Sequence, residues 1–175
     1  CCDPVIGDVG RGVFVRPGIP EFMRDRAVKS ADAVTPNQFE LDYLAGMETK
    51  SLSAAIAAVD KVDAAGPRTV LVTRLHLEDT PKDSIELLAS GPDGKFRLRT
   101  PLLDISVNGA GDAIAALFFF HLLSTHSSAE ALSNAASSIF GLMQRTKAAN
   151  SREILLIAAQ DEFVNPTRRF RAEKL

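Results

Sequence analysis

The chain has 175 residues, of which 46% are hydrophobic and 24% are charged, as is usual for a folded globular domain. Its 20 basic and 22 acidic side chains leave a net charge of −2, which excludes the broad basic surface of a nucleic-acid-binding protein. No apolar stretch reaches the roughly 18 residues that a membrane span needs, so a membrane partner is not expected.

The only two cysteines, Cys1 and Cys2, are adjacent, and no third cysteine is present to pair with them. This pattern excludes a disulfide framework and favours a reducing, cytoplasmic location. The chain has no initial methionine and opens in a segment with the pattern of a strand. We therefore expect residues 1–175 to form a single domain that lacks its N-terminal part.

The first part of the chain alternates short apolar strands with helices. Residues 7–20 are rich in glycine and proline and are expected to form a loop. The predicted elements are a strand over 1–6, a helix over 20–29, a strand over 31–35, and helices over 37–46 and 51–65.

The second part begins with a β-branched run over 69–73 that is typical of a buried parallel strand. Residues 84–89 and 95–99 flank Gly91-Pro92-Asp93-Gly94, a turn sequence, and should form an antiparallel hairpin. A buried helix is predicted over 113–123 and a second helix over 128–148. Residues 152–163 are ambiguous, since their apolar centre fits an edge strand while their length suits a helix.

This alternation predicts an α/β fold with a largely parallel sheet between helices and an antiparallel hairpin near the C-terminus. In such sheets, ligands bind outside the carboxyl ends of the strands. Asp3, Thr35 and Thr73 end the three predicted strands, and the glycine-rich segment 108–112 lies near the same edge. These residues are therefore expected to share one site.

The segment Asn108-Gly109-Ala110-Gly111-Asp112 precedes the apolar helix and has the character of an anion-binding loop. Its glycines let several backbone N–H groups approach an anion, and the helix dipole adds to the attraction for phosphate. Asp112 then serves as the base that deprotonates an attacking hydroxyl, or it only caps the helix. The shared location with the strand ends favours the base.

Asp3 and Glu40 are the candidate magnesium ligands, because this ion prefers oxygen donors and keeps several waters. Each has a structural alternative: Asp3 is also a turn residue before Pro4, and Glu40 has capping-box spacing from Asn37. The three histidines lack ligand-like spacing, so a zinc site is not expected. No P-loop motif is present, and any nucleotide must be held by another architecture.

Three segments resemble successive motifs of the pyridoxal kinases of the ribokinase superfamily. They are Cys2-Asp3-Pro4-Val5-Ile6-Gly7, Thr35-Pro36-Asn37-Gln38-Phe39-Glu40 and Gly109-Ala110-Gly111-Asp112. Residues 158–161 and 165–166 resemble the bacterial type. The resemblance implies a ribokinase-like three-layer α/β/α sandwich with a mostly parallel sheet and a C-terminal antiparallel hairpin.

The resemblance further implies ATP-dependent phosphorylation of the 5′-hydroxyl of pyridoxal, a reaction of vitamin B6 salvage that yields pyridoxal 5′-phosphate. Asp112 would be the base that contacts this substrate, and Gly109, Ala110 and Gly111 would form the anion hole. It also implies Mg²⁺ at Asp3 and Glu40, a monovalent cation such as K⁺, related B6 vitamers as substrates, and a homodimer. The implied ATP-binding residues are Asp3, Thr35, Glu40, Thr73, Thr100, Pro101, Leu102 and Leu103.

Two other functions stay open at this point. Hydroxymethylpyrimidine kinases share the superfamily fold, but they tend to carry cysteine where Asp112 stands. A nucleotide- or vitamin-binding protein without turnover is the alternative outside the enzymes. The chain also departs from the resemblance at Thr73, where some bacterial relatives carry lysine.

Overall fold

A five-stranded sheet carries helices on both faces in the computed structural model, which describes all 175 residues. A separate two-stranded ribbon, β1 and β2, precedes it. The strands are β1 (Gly7–Asp8), β2 (Gly12–Val13), β3 (Ala33–Val34), β4 (Thr69–Leu75), β5 (Ser84–Gly91), β6 (Gly94–Pro101) and β7 (Glu173–Lys174). The helices are α1 (Ile19–Phe22), α2 (Gln38–Ala45), α3 (Leu52–Ala65), α4 (Ala110–Thr125), α5 (Ser128–Ala148) and α6 (Asp161–Val164).

The strand order is β3-β4-β5-β6-β7, with β3 and β4 parallel and the other three pairings antiparallel. The predicted α/β class and the hairpin between β5 and β6 are confirmed. The parallel strand pairing lies at the β3 edge of the sheet, where Cys2 forms one further parallel bridge with Val34. The sheet of this chain is therefore mixed, with its parallel part at one side.

Side chains alternate between two cores because successive residues of a strand face opposite sides of the sheet. On one side, Val70 and Val72 of β4 pack with Val59 of α3 and Leu41 of α2. On the other side, residues of β4, β5 and β6 pack against α4 and α5, with Phe118 fully buried among them. The two cores make the three layers that the alternation of elements predicted.

Four predicted helices are present close to their expected bounds, and local signals explain where they begin. The fifth, predicted over 20–29, is divided into α1, a π-helical turn over Met23–Ala27 and a 3₁₀ turn over Val28–Ser30. Ser51 caps α3 through Ala54 N–H, and Ser127 caps α5 through Glu130 N–H. α2 ends at Gly46, whose φ of 63° lies in the left-handed region that favours glycine.

The strand predicted over residues 1–6 is wrong, because only Cys2 forms backbone hydrogen bonds to the edge of the main sheet at β3. Its N–H donates to Ala33 O at 2.8 Å, and its carbonyl accepts from Thr35 N–H at 3.1 Å. Pro4 has no N–H to donate, and Val5 adopts a φ of 46°, which breaks the extended conformation. The backbone instead turns toward the site.

Two further predictions need correction. The apolar helix behind Asp112 is not buried all round: Phe120 is 62% exposed and Leu123 is 59% exposed, although Phe118 is buried. Residues 152–163 form neither a long strand nor a long helix. They contain one bridge from Glu153 to Asn108, a series of turns and the start of α6, so composition alone was misleading. None of the helices is long and apolar enough to cross a membrane.

Candidate active site

A cavity of about 540 Å³ opens at the sheet edge where β4 and β6 end and β5 begins. It is lined by residues from the β1–β2 ribbon, the ends of β3, β4 and β6, the start of α4 and one face of α5. This is the edge that the strand-end rule predicted. Every site residue predicted from the sequence lines it: Asp3, Thr35, Glu40, Thr73, Thr100, Pro101, Leu102, Leu103, Gly109, Ala110, Gly111 and Asp112.

The glycine loop forms the uncapped N-terminus of α4. Gly109 is the N-cap residue with a φ of 87°, and it offers no side chain to the first-turn amides. Those amides and the positive end of the helix dipole therefore face the cavity without a protein acceptor. Asp112 lies in the first turn, is exposed, and makes no hydrogen bond to the helix backbone. The capping alternative for Asp112 is thus not observed.

Asp3 and Asp112 are close enough to influence each other across the cavity. The pKa of Asp3 is raised by its burial and also by the negative charge of Asp112, while the nearby hydroxyl of Thr35 acts in the opposite direction. The Thr35 Oγ1 atom is buried and completes no hydrogen bond of normal geometry. Asp3 and Thr35 thus leave an unsatisfied polar corner beside Asp112, as is suitable for a polar ligand.

Glu40 has a different environment, because both of its carboxylate oxygens accept hydrogen bonds from the backbone. Oε1 accepts from Ile6 N–H at 2.7 Å, and Oε2 accepts from Asn37 N–H at 3.0 Å. Asn37 Oδ1 accepts from Glu40 N–H at 3.0 Å, which completes the predicted capping box. Burial raises the pKa of Glu40, and these backbone hydrogen bonds oppose that shift.

The donor set fits magnesium at Asp3 better than at Glu40. Asp3 offers a carboxylate with no backbone partner, whereas a metal at Glu40 would compete with the backbone N–H groups. No group of three or more histidine, cysteine, aspartate or glutamate side chains is arranged to hold a metal ion. Magnesium remains compatible with such a site because it keeps several water ligands and binds substrate phosphates.

The nucleotide residues predicted after β6 lie along one side of the cavity. Thr100 and Pro101 end β6, and Leu102 follows with its N–H donating to Asp83 O at 2.7 Å. Thr100 is buried and Leu102 is 40% exposed. The residue types change the wall from polar at Thr100 to apolar over residues 101–103. Thr73, near the end of β4, also lines the cavity, and its N–H donates to Pro36 O at 3.0 Å.

Several cavity residues were missed by sequence reasoning. Ile139, Phe140 and Met143 of α5 form an apolar wall. Their spacing indicates only a buried helix face and contains no sign that this face borders a cavity. Three charged residues were also left out of the predicted site, namely Asp8 and Arg11 of the β1–β2 ribbon and Arg74 of β4. The glycine-rich composition of residues 7–12 was the available signal for the ribbon, since loops at strand ends carry function.

Comparisons with known proteins agree with this geometry. A family model described as phosphomethylpyrimidine kinase matches residues 1–154. The chain is 53% identical over 177 positions to pyridoxal kinase PdxY of Granulibacter bethesdensis, covering 99% of this chain and 62% of that protein. It is 56% identical over 171 positions to the pyridoxal kinase PdxY of Rubrobacter xylanophilus, covering 97% of this chain and 59% of that protein.

Among solved structures, the chain resembles pyridoxal kinase from Leishmania donovani in complex with ADP and ginkgotoxin. The TM-score is 0.87 at 27% identity, and the match covers 99% of this chain and 60% of that chain. The likeness extends over the whole described fold and includes both layers of helices. The chain spans about 60% of the length of the relatives that it matches.

Proposed function

The chain belongs to the phosphomethylpyrimidine kinase family, and on this basis we propose that it carries the nucleotide-binding and catalytic part of a pyridoxal kinase. One observation carries the proposal: Asp112 lies free of backbone hydrogen bonds at an uncapped helix N-terminus, in the same cavity as Asp3 and Thr35. The names of the two bacterial relatives and the ADP-bound Leishmania neighbour support it.

In the proposed reaction, Asp112 accepts the proton of the 5′-hydroxyl of pyridoxal as that oxygen bonds to the γ-phosphorus of ATP. The bond between this phosphorus and the β,γ-bridging oxygen breaks, and ADP leaves. The backbone N–H groups of Gly109, Ala110 and Gly111 stabilise the charge on the transferring phosphoryl group. The arrangement thus supplies a base and an anion hole on one helix turn.

The nucleotide is proposed to occupy the wall made by Thr35, Thr73 and residues 100–103. Asp3 would hold Mg²⁺, directly or through water, and the ion would supply charge neutralisation for the phosphates. Glu40 acts indirectly in this proposal, since its carboxylate orders the backbone of Ile6 and Asn37 beside the site. A monovalent cation such as K⁺, a homodimer and a cytoplasmic location remain expectations from the resemblance and the composition.

A second candidate is a hydroxymethylpyrimidine kinase, because the matching family model carries the description phosphomethylpyrimidine kinase. The aspartate at position 112 favours pyridoxal, since the resemblance associates the pyrimidine kinases with cysteine at this position. The names of the two bacterial relatives also favour pyridoxal.

A coupled assay of ADP release by the full-length protein distinguishes the two kinase functions, with pyridoxal and hydroxymethylpyrimidine as alternative acceptors. We expect kcat/KM for pyridoxal to exceed that for the pyrimidine by about tenfold or more, because a pocket built to hydrogen-bond one ring discriminates strongly against another. A preference for the pyrimidine would replace the assignment. Binding of pyridoxal and ATP without release of ADP would indicate a binding protein instead.

A further inference from the structure

β4 contains an irregularity at the point where it borders the cavity. Val72 pairs with Leu88 and Leu75 pairs with Glu86, so Thr73 and Arg74 together oppose the single residue Leu87. Two residues against one define a β-bulge, which redirects side chains and is common beside active sites. In a regular strand, neighbouring side chains would face opposite sides of the sheet. Here both Thr73 and Arg74 line the cavity.

The charges around the cavity make this redirected arginine informative. The acidic residues that line the cavity outnumber the basic ones. A bound nucleoside di- or triphosphate would add several more negative charges. Backbone amides supply only partial charges, so an arginine would add a formal positive charge for the phosphates beside the proposed Mg²⁺. The acidic lining residues are Asp3, Asp8, Glu40 and Asp112, and the basic ones are Arg11 and Arg74.

Arg74 is the better placed of the two arginines. Arg11 belongs to the short β1–β2 ribbon, and its guanidinium lies over the Phe14 ring at 5.4 Å from the ring centroid. Arg74 belongs to β4, an interior strand of the sheet, and the pairs Val72–Leu88 and Leu75–Glu86 on either side of the bulge fix the position of its backbone. Side chains on such rigid elements hold a ligand more accurately than those on loops.

The only ionic contact of Arg74 leaves most of its hydrogen-bonding capacity free. Its Nη1 lies 3.4 Å from Oδ2 of Asp8, and its side chain remains 55% exposed. An exposed ion pair of this kind contributes little, so a phosphate can compete with Asp8 for the guanidinium. Arginine offers five N–H donors in a planar group that matches phosphate oxygens in pairs.

We propose that Arg74, turned into the cavity by the bulge in β4, binds the β-phosphate or γ-phosphate of the nucleotide. The inference rests on the proposed function for the identity of the ligand as ATP or ADP. It adds a specificity residue that selects for nucleotides with a phosphate chain, as distinct from the adenosine part. The phosphates displace Asp8 from its weak ion pair with the guanidinium.

The test measures the affinity of the full-length protein for ADP and for adenosine, at fixed Mg²⁺, in wild type, Arg74→Gln and Arg74→Lys. We expect Arg74→Gln to weaken ADP binding by about tenfold or more, as for loss of a charge-assisted hydrogen bond, with adenosine affinity unchanged. The ADP affinity of Arg74→Lys should lie between those of wild type and Arg74→Gln, because lysine keeps the charge but cannot donate two parallel hydrogen bonds as arginine does. Arg68→Gln, an exposed arginine just before β4 at the opposite sheet edge, is the matched control and should behave as wild type.

Equal ADP affinities in wild type and Arg74→Gln would overturn the inference. An equal loss for ADP and adenosine would also overturn it, because that result indicates a purely structural role for the bulge. Turnover of pyridoxal by the wild-type protein is measured in parallel. Its absence would contradict the proposed function, whereas the comparison of ADP with adenosine concerns Arg74 alone.

Discussion

Asp3 and Asp112 are the carboxylates of the cavity that no backbone amide engages, and this separates them from Glu40. Glu40 is only 2% exposed and accepts from backbone N–H groups through both oxygens. The burial that raises the pKa of Asp3 comes without such compensation. Asp3 and Asp112 are thus available to ligands, whereas Glu40 maintains the backbone and Asp8 is engaged by Val9 N–H and by Arg74.

This division predicts opposite behaviour for the two candidate magnesium residues. Asp3→Asn should raise the magnesium concentration needed for half-maximal turnover by about tenfold while the free energy of unfolding changes little. Glu40→Gln should leave the magnesium requirement unchanged, because its carboxylate is already engaged by the backbone. It should lower the free energy of unfolding by about 1–3 kcal/mol, since the amide nitrogen cannot accept from Ile6 or Asn37.

Magnesium titrations of turnover and urea unfolding of both variants make the comparison, each variant serving as the control for the other. A large increase in the magnesium requirement of Glu40→Gln, with unchanged stability, would show that Glu40 is a direct ligand. The capping box would then be incidental to its role.

The bounds of helices and turns were predictable from local sequence where a segment satisfies its own backbone hydrogen bonds. The spacing of Asn37 and Glu40 predicted the start of α2, and the glycines at 91 and 94 predicted the hairpin turn. The strand predicted over residues 1–6 failed because Glu40, distant in sequence, takes the Ile6 N–H. Neither the edge strand nor the helix considered for residues 152–163 is present, because their apolar side chains are partly outside the core, with Ile157 84% exposed.

The packing of α6 against α5 depends on a glycine that no helix signal explains. An added Cβ at Gly141 would overlap Oε2 of Glu162, a buried carboxylate that accepts from Thr167 N–H at 2.8 Å. Gly141→Ala should therefore lower the free energy of unfolding by about 1–3 kcal/mol through overpacking. Its neighbour Phe140 lines the cavity.

A double-mutant cycle with Glu162→Ala checks this reason by urea unfolding. Once the carboxylate is removed, Gly141→Ala should become neutral or stabilising by up to about 1 kcal/mol, because alanine is the better helix former. Stabilisation by Gly141→Ala with Glu162 intact would show that the space is not filled as described.

At the scale of the whole molecule, the cavity is assembled from segments that are distant in sequence and meet at one sheet edge. The residues at strand ends were predictable because topology brings such ends together. The α5 wall and Arg74 were not, since a helix face and a β-bulge depend on packing and register that local sequence does not encode. The exposed stripe from Asp112 to Phe120 and Leu123 is likewise a property of the assembled fold.

We propose Asp112 as the base of an ATP-dependent phosphoryl transfer to pyridoxal. Its most direct test is kcat of Asp112→Asn in the full-length protein, with Glu130→Gln as the control that removes a first-turn charge from α5 instead. We predict that kcat of Asp112→Asn falls by about two to four orders of magnitude, with ADP affinity and unfolding unchanged and the control fully active. A kcat of Asp112→Asn near that of wild type would show that Asp112 is not the base.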